Sequence, residues 1–505
     1  MEVIGKLLLG FSVALTPFNL LYCFIGVTIG TLIGVLPGIG PTAGIAILIP
    51  VTLSLPPTTA IIMLAGIYYG SMYGGSTTAI LINTPGEAAS IPTALDGYKL
   101  ARQGRAGPAL AMAAIASFIA GTFSIIGLML LAPPLASVAL AFGPPEYFSL
   151  MFLGLTIVVS LAGKSLVKGL ISALLGIMIS TIGVDPISGT ERFSYGNADL
   201  LAGIDFISVV VGLFAITEIL INAEESMVDV FKTKIKGLWP TLQDWRDSKG
   251  ALVRSSILGF LIGLLPGASA SVAAFICYDV EKKCSKHPEK FGQGAIEGVA
   301  APEGANNSAV GGGLVPLLTL GIPPSAPLAV LLGALMIHGL RPGPLLFEQN
   351  PNFVWGLIAS LYIGNIMLLV LNLPLVGFWA RLIKVPYPIL APIVLALCFI
   401  GSYGVRNNML DVWIALFFGV VGFFMRKLDF PAAPVILSII LAPMIESALR
   451  QSMGMSRGSI QILFTRPISA GLLILAAISL TLSIYGRVKE SSKTRQLIES
   501  TSDVG

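Results

Sequence analysis

Apolar runs of about 20 residues recur along most of the chain, between Leu7 and Tyr485. A helix of that length spans the hydrocarbon core of a bilayer. The runs are continuous rather than alternating, which is typical of membrane helices and not of membrane strands. Only 11% of the 505 residues are charged, whereas soluble domains carry about 25%. The sequence therefore predicts an all-α polytopic membrane protein.

The tripeptide Leu-Pro-Gly occurs twice within these runs, at residues 36–38 and 265–267. Each copy ends a ladder of glycines spaced four apart, beginning at Gly26 in the first copy and at Gly259 in the second. Proline followed by glycine breaks a helix, and each segment is too short to cross a membrane twice. Two breaks in matching places predict paired re-entrant hairpins, as in secondary transporters. The alternative is that these glycines only allow close helix packing.

The similarity between the two halves extends beyond the tripeptide. Residues 74–81 resemble residues 312–319, and each segment leads into a proline, Pro85 or Pro323. Corresponding positions stay roughly 230 to 245 residues apart, which indicates a duplication.

Loop charges predict that the two halves have opposite orientations. Residues 51–59 carry no charge, whereas their counterpart, residues 281–290, contains four lysines. Conversely, residues 99–105 are basic, and their counterpart near Arg341 has one arginine. Positive charge thus alternates between equivalent loops, as the positive-inside rule requires of inverted repeats.

The resulting threading has about 12 transmembrane helices in two inverted-topology repeats, with both termini in the cytoplasm. Each repeat contains a Pro-Gly-broken re-entrant hairpin. The predicted parts are an N-terminal repeat with a leading span (1–222, hairpin 26–50), a charged cytoplasmic linker (223–254), a C-terminal repeat (255–447, hairpin 255–278), and a last span with a basic cytoplasmic tail (448–505). One loop disagrees with the rule, because Arg450, Arg457 and Arg466 would lie outside.

The broken helices are the first candidate site. Half-helix N-termini present unpaired N–H groups and a positive dipole end to an anion, and unwound carbonyls bind cations. The candidate residues here are Pro37, Gly38, Gly40, Thr42, Pro266, Gly267, Ser269 and Ser271.

Two further groups have polar or helix-breaking residues beside apolar runs. The first comprises Ser76, Thr77, Asn83, Thr84, Pro85, Gly86, Thr319, Gly321 and Pro323. Its alternative interpretation is a turn at the membrane surface. The second comprises Glu297, Glu303, Asn306 and Asn307, which would bind Na⁺ or carry a proton if they are buried. If that segment is a cytoplasmic amphipathic helix, Glu297 simply faces water.

Enzymatic and nucleotide-binding functions find no support in the residues. Gly163-Lys164-Ser165 ends like a P-loop, but Val158 stands where the first glycine is required. Two histidines are too few for a histidine-based metal site, and acidic clusters typical of catalysis are missing. We therefore expect no enzyme, no resident metal beyond transient Na⁺, no cofactor and no nucleic-acid partner.

At these motifs the chain resembles the large membrane subunit of tripartite tricarboxylate transporters, the TctA family. The resemblance covers nearly the whole chain. Its most specific matches are residues 36–41, 73–78, 83–87, 93–97, 297–303, 306–307 and 319–323. Pro324 departs from the family, which usually has glycine there, and this bears on the flexibility of the second loop and on substrate fit.

The resemblance implies a multi-pass permease of the bacterial inner membrane. Its partners would be a small four-span membrane subunit and a periplasmic binding protein that delivers citrate or another carboxylate. A gradient of Na⁺ or H⁺ would drive uptake.

We therefore expect ion-coupled import of an organic tri- or dicarboxylate by alternating access. The spans contain almost no lysine or arginine, so backbone donors and Ser, Thr and Asn side chains would hold the anion. The alternatives are a passive anion channel and a membrane-embedded lipid enzyme.

Overall fold

The computed structural model describes residues 2–36, 39–161, 165–185, 187–224, 237–382 and 387–502. In these ranges, eight helices are long and apolar enough to cross a bilayer, and five shorter helices are also apolar. A single antiparallel ribbon of two strands joins β1 (Gly183–Val184) to β2 (Glu191–Arg192) within the described part of the chain. The protein is thus an all-α membrane protein, and the figure of about 12 spans stays a prediction.

The described residues of the first half contain ten α-helices: α1 (Glu2–Ala14), α2 (Pro17–Val35), α3 (Gly40–Thr52), α4 (Pro57–Ile82), α5 (Ile91–Arg102), α6 (Ala106–Ala139), α7 (Pro144–Leu161), α8 (Leu166–Ser180), α9 (Phe206–Val210) and α10 (Thr217–Glu224). Several begin with proline, which lacks the N–H that would be unpaired in a first turn. A π-helix, Val211–Ile216, joins α9 to α10.

The described residues of the second half contain twelve: α11 (Leu242–Gly263), α12 (Ala270–Cys284), α13 (Glu297–Leu320), α14 (Ala326–Ile337), α15 (Pro344–Gln349), α16 (Pro351–Asn372), α17 (Val376–Leu382), α18 (Tyr387–Arg406), α19 (Met409–Lys427), α20 (Ala433–Met455), α21 (Ile462–Thr465) and α22 (Pro467–Ser502).

Helix boundaries differ from the prediction at two places. The apolar run that begins at Leu7 predicts one leading span, but α1 ends at Ala14 and α2 begins at Pro17. The proline ends the preceding helix because it lacks an N–H and restricts the residue before it. In addition, α11 begins at Leu242, inside the predicted linker. Thr241 and Asp244 form a reciprocal capping box that starts this helix.

The chain forms two compact units, residues 1–141 with 204–424 and residues 142–203 with 425–505. In the first unit, α2 packs on α4 and α11 packs on α13. A β-carbon added at Gly30 would lie 2.5 Å from the carbonyl oxygen of Ile67, and one at Gly263 would lie 2.4 Å from that of Ala309. Such distances exclude a side chain. The two glycine ladders therefore have a packing role, which was the alternative considered for them.

Helices from the two halves also pack crosswise. In the first unit, α6 lies against α13, and α16 lies against α4. The π-helix of the first half approaches α19 of the second, where a β-carbon on Gly212 would lie 2.5 Å from the carbonyl oxygen of Ala415. In the second unit, α20 packs on α7 and α8, and a β-carbon on Gly176 would lie 2.3 Å from the carbonyl oxygen of Val435.

The π-helix is closed by a side chain as well as by its backbone. The Thr217 backbone N–H donates to the carbonyl of Gly212, five residues earlier. The Thr217 hydroxyl lies 3.0 Å from that same carbonyl oxygen and 3.1 Å from the carbonyl oxygen of Gly419 on α19. The wide turn thus places one hydroxyl between two helices. A π-turn of this kind is rare and frequently accompanies functional sites.

The second unit pairs its arginines with buried acids. Arg450 contacts Asp185 at 2.7 Å, and Arg466 contacts Glu146 at 3.1 Å. Arg192 adds a second contact to Asp185 at 2.7 Å. Hydrogen bonds from Ser188 and the backbone of Ile187, together with Arg450, hold the pKa of Asp185 well below its usual range.

These pairs bear on the loop between residues 448 and 466, which disagreed with the positive-inside rule. Arg450 and Arg466 are neutralised by acidic partners, while Arg457 is exposed. These acids, Asp185 and Glu146, belong to other segments, so the loop keeps its three arginines and its disagreement with the positive-inside rule.

Candidate functional site

A fully buried carboxylate, Glu303 on α13, lies inside the first unit. Its Oε1 accepts a hydrogen bond from the Thr93 hydroxyl at 2.5 Å, and its Oε2 accepts one from Ser76 at 2.7 Å. The Ser117 hydroxyl lies 3.4 Å from the same Oε2. These three hydroxyls belong to α5, α4 and α6. Three helices of the first half therefore converge on one side chain of the second half.

A second carboxylate, Glu87, lies beside this group in the connection between α4 and α5. Its Oε2 accepts a hydrogen bond from the backbone N–H of Ala89 at 2.7 Å, and its Oε1 lies 3.3 Å from the amide nitrogen of Asn306. Glu87 is half-buried. Asn306, which contacts Glu87, lies one helical turn after Glu303 on α13. Glu87, Glu303, Ser76, Thr93, Ser117 and Asn306 are called the acidic cluster below.

The acidic cluster differs from other buried acids because no basic side chain faces it within the described residues. Asp185, Asp244 and Glu281 each pair with an arginine. An ionised carboxylate removed from water loses several kcal/mol of solvation in real proteins. Three hydroxyl donors recover only part of that loss. The cluster is therefore a place where a cation or a proton is strongly favoured.

Two amide oxygens add to this demand for a positive charge. The Oδ1 atoms of Asn306 and Asn307 are buried and have no hydrogen-bond partner. Tyr73 lies one turn before Ser76 on α4. Its hydroxyl donates to Asn365 Oδ1 at 2.5 Å, which links α4 to α16. Buried polar atoms are nearly always paired in native proteins, and the Oδ1 atoms of Asn306 and Asn307 are free to accept a donor or to coordinate a cation.

Asp96 fixes the position of α5. Its Oδ1 accepts three backbone hydrogen bonds, from Gly292, Gly294 and Ala295, each at 2.8 Å. Its Oδ2 accepts one from the Tyr278 hydroxyl at 2.8 Å. Asp96 therefore ties α5 to the segment that leads into α13. Thr93 lies one helical turn before Asp96, so this clamp also holds the Thr93 hydroxyl against Glu303.

Among the predicted site residues, the structure brings Ser76, Glu303 and Asn306 together. Asn307 lies on the next position of α13 and donates from its amide to the Glu303 carbonyl at 3.2 Å. Glu297 does not join them, because its carboxylate accepts from the Ser285 hydroxyl at 3.1 Å.

The two loops predicted as symmetric have a common geometry at their helix ends. Asn83 ends α4 with φ of 56°, and Gly321 ends α13 with φ of 71°. Left-handed residues of this kind terminate helices, and asparagine and glycine adopt that conformation most readily. Gly86 approaches α2, where its β-carbon would lie 1.9 Å from the Gly34 carbonyl oxygen.

The remaining predicted residues of these segments lie outside the acidic cluster as far as described contacts show. Thr319 donates to the Val315 carbonyl within its own helix at 2.7 Å, and the Thr84 hydroxyl lies 3.4 Å from the Ile82 carbonyl. Thr77 and Pro323 are buried, and Pro85 is half-buried.

The helix breaks are described only in part, because Pro37 and Gly38 fall outside the described residues. Gly40 opens α3 with φ of 65°, and Thr42, two residues later, is buried. In the second break, Gly267 has φ of 80° and donates its backbone N–H to the Pro324 carbonyl at 2.9 Å.

That hydrogen bond links the second break to the loop that follows α13. Ser269 caps α12 through its side chain, which lies 3.5 Å from the N–H of Val272. Pro266 and Ser271 are half-buried.

Sequence reasoning missed Glu87, Thr93 and Ser117. Glu87 follows the Asn-Thr-Pro-Gly turn directly, so a carboxylate within a predicted intramembrane turn was an available signal. Thr93 and Ser117 are common small polar residues, and nothing in their spacing separates them from packing residues. Only the folded chain identifies them.

The donor set of the acidic cluster consists of oxygen atoms. No group of three or more His, Cys, Asp or Glu side chains capable of holding a metal ion occurs among the described residues. Oxygen donors favour hard cations over transition metals. The arrangement is therefore suited to a proton or a hard cation of low charge.

Comparison with known proteins places the chain in a family. A family model described as "Tripartite tricarboxylate transporter TctA family" matches residues 20–437. An uncharacterised 52.8 kDa protein of the TAR-I ttuC' 3' region of Agrobacterium vitis is 46% identical over 500 residues, which is 99% of each chain. An uncharacterised protein of the TAR-II ttuC' 3' region of the same organism is 41% identical over 231 residues, covering 46% of this chain and 96% of its own length. The chain therefore belongs to the TctA family of tripartite tricarboxylate transporters.

Proposed function

We propose that the protein is the permease subunit of a binding-protein-dependent tripartite transporter. It imports an organic tri- or dicarboxylate by secondary active transport driven by a Na⁺ or H⁺ gradient. The observation that carries this proposal is Glu303, a buried carboxylate that receives hydroxyls from three helices of the other half and faces no basic side chain among the described residues. A buried ionisable group of this kind in a membrane protein is usually functional.

Crosswise packing supports the proposal of two inverted repeats. Helix α6 of the first half packs on α13 of the second, and α16 of the second half packs on α4 of the first. Two copies of one motif related by a twofold axis produce such reciprocal contacts. Alternating access in inverted-repeat transporters uses the resulting near-symmetry.

The paired arginines support the proposed threading. With the N-terminus in the cytoplasm, the segment around β1 and β2 and the loop between residues 448 and 466 both face outward. Asp185, Arg192, Glu446 and Arg450 join these two segments in one network. Segments in direct contact outside the apolar helices must lie on the same side of the membrane.

The anionic substrate would bind near the broken helices through backbone N–H groups and small hydroxyl side chains. Ser269 at the start of α12 and Thr42 in the first turn of α3 lie in suitable positions. A helix N-terminus favours negative charge through its dipole and its unpaired N–H groups.

The proposed partners are a periplasmic carboxylate-binding protein and a small four-span membrane subunit, with the permease embedded in the bacterial inner membrane. Family membership supports this assembly, since the family description is of tripartite transporters. We propose no catalytic activity and no resident cofactor.

Uptake in proteoliposomes that contain all three subunits tests the proposal. A panel of carboxylates, citrate first, is offered under an imposed Na⁺ gradient, an imposed pH gradient or neither. We expect accumulation above the external concentration when one of the gradients is present. Equilibration without accumulation under every condition would instead identify a passive anion channel.

A further inference from the structure

We infer that the acidic cluster binds one Na⁺ ion, with Glu303 and Glu87 supplying the charge and Ser76, Thr93 and the Asn306 carbonyl supplying neutral oxygens. We further infer that this ion must be bound before a carboxylate substrate binds. The second statement rests on the proposed transport function, whereas the first does not.

The charge of the cluster requires a ligand. Glu303 has no exposed surface, and Glu87 is half-buried. No described lysine, arginine or histidine contacts either carboxylate. By contrast, Asp185, Asp244 and Glu281 each pair with an arginine, and Asp96 accepts three backbone N–H bonds and one hydroxyl. Among these groups the acidic cluster is the one that has two carboxylates and no arginine, so its need for a positive charge is the greatest.

The unpaired amide oxygen favours a metal cation over a proton. Asn306 directs its amide nitrogen towards Glu87 at 3.3 Å, which leaves its buried Oδ1 without a donor. A proton on either glutamate would neutralise one charge without reaching every unpaired oxygen. A cation is coordinated by carboxylate, hydroxyl and amide oxygens at the same time, so it satisfies all of these atoms together.

The type and number of donors favour Na⁺ over divalent ions. All donors are hard oxygens, which exclude ions that prefer nitrogen or sulfur. Ca²⁺ takes 6–8 oxygens, and Mg²⁺ demands near-ideal octahedral geometry and loses its water reluctantly. Glu87 already uses its Oε2 for the Ala89 N–H. With one oxygen from each glutamate, the two hydroxyls and the amide oxygen then make fewer donors than Ca²⁺ takes. A monovalent ion of modest hydration fits this set best.

An ion at this place would set the order of binding. Without it, two negative carboxylates repel any carboxylate substrate that approaches through the low-dielectric interior. With Na⁺ bound, the cluster loses one net negative charge and its hydroxyls are held in place. Substrate affinity should therefore rise with Na⁺ concentration, which is thermodynamic coupling between two sites.

The test is equilibrium binding of radioactive Na⁺ to the purified full chain in detergent, without substrate or partner subunits. Choline chloride keeps the ionic strength constant. We expect saturable binding by the wild-type protein at about neutral pH. Glu303→Gln and Glu87→Gln should each lower the apparent Na⁺ affinity at least about tenfold, because each removes a formal charge from the ion's ligands.

Two controls keep the result interpretable. Asp279→Asn removes an exposed carboxylate of α12 that pairs only with Lys283, and its Na⁺ affinity should equal that of the wild type. Thr93→Val keeps both glutamates but removes one hydroxyl, and it should lower Na⁺ affinity by a smaller factor. Thr93→Val provides the measurement if a glutamate variant does not fold.

Absence of saturable Na⁺ binding by the wild type would overturn the inference, even if proton-driven uptake were then found. Equal Na⁺ binding by wild type and Glu303→Gln would overturn it as well. Conversely, Na⁺ binding by the isolated chain without gradient-driven uptake would refute the proposed function and leave the ion site in place.

Discussion

The two helix pairs predicted to form re-entrant hairpins, called the hairpins below, are alike at their glycines and different at their ends. The first, α2 with α3, has no charged residue in either helix, and Thr52 at the end of α3 contacts His338 after α14 at 3.1 Å. In the second, α11 with α12, Arg254 forms two hydrogen bonds to Glu281, at 2.8 and 2.6 Å. The second hairpin is therefore clamped arm to arm by an ion pair. The first is attached to its surroundings by a neutral hydrogen bond.

The difference shows that the Leu-Pro-Gly segment and the side-chain contacts that attach the helix ends are separate features of the sequence. The helix is interrupted at Pro266 and Gly267 in the second copy, and α2 ends at Val35 and α3 begins at Gly40 in the first. The flanking residues determine what each arm is attached to. We expect the arms of the first hairpin to move more easily than those of the second, because a neutral hydrogen bond links α3 to the end of α14, whereas a partly exposed ion pair joins α11 directly to α12.

The largest effect should come from replacing glycines of the two ladders with larger residues, since each hairpin contains one ladder. A β-carbon at Gly34 would lie 2.3 Å from the Ser71 carbonyl oxygen, and one at Gly263 2.4 Å from that of Ala309. Gly34→Leu and Gly263→Leu should each lower stability by about 3 kcal/mol or more, since overpacking must separate two helices. Thermal unfolding in detergent measures this. Gly471→Leu is the control, because nothing lies within 4 Å of that position, and equal losses in all three variants would contradict the packing role.

The second effect concerns the breaks themselves. Replacing Pro37-Gly38 or Pro266-Gly267 with Ala-Ala should reduce uptake in reconstituted vesicles at least about tenfold while membrane insertion stays intact, because a continuous helix no longer presents its N-terminus. The variant at 267 should also be less stable, since alanine is strained at a φ of 80°. Unchanged uptake would show that the Pro-Gly segments do not take part in substrate binding.

The third effect separates the hairpins. Arg254→Ala leaves Glu281 buried without its partner, and Arg254 itself is 40% exposed. We expect a loss of about 1–2 kcal/mol, less than for a fully buried pair. Hydrogen exchange should increase along α11 and α12 and not along α2 and α3. Lys283→Ala breaks only the exposed pair with Asp279 and should change neither stability nor exchange; an equal response would show that the clamp is not specific.

The fourth effect should be smaller. Thr52→Val removes the hydroxyl that His338 contacts, and we expect a loss of about 1 kcal/mol or less. Faster hydrogen exchange confined to α3 and the end of α14 is the expected signature. Hydrogen exchange that instead increased in the second hairpin would contradict the assignment of Thr52 as an anchor of the first.

The smallest effect is on pH dependence. Burial lowers the pKa of His338 below its usual range, so the folded chain binds this proton less readily than the unfolded chain. Its contribution to stability is complete above about pH 6.5, the unfolded pKa, and is lost as the pH falls through the folded pKa. The melting temperature of wild type should fall slightly more than that of His338→Gln between about pH 8 and pH 5.5. A larger fall in the variant would contradict this sign.

Much of the fold follows from features that act locally. Apolar runs, prolines and glycines identify the helices because length and hydrogen bonding are fixed by the bilayer. The break between α1 and α2 was missed because the apolar run continues across it, and only Pro17 marks the boundary.

Site residues were predictable only where a side chain whose burial costs free energy lies within an apolar run. Glu303 and Asn306 are unusual there and were identified, whereas Thr93 and Ser117 resemble many packing residues. Their role depends on α4, α5 and α6 meeting at α13, and on Asp96 orienting α5. Such contacts join positions some 200 residues apart, which no local pattern encodes.

The π-helix at Val211–Ile216 determines how a change in the length of this segment affects the direction of the following helix. A π-turn accommodates one residue more than an α-turn, and each residue of an α-helix turns the chain by about 100°. Deleting one residue there would leave a regular helix of nearly unchanged reach. Because the extra residue is contained within one turn, Thr217 and the later side chains of α10 would keep their direction. The same deletion in an α-helical stretch would instead rotate the following helix by about 100°.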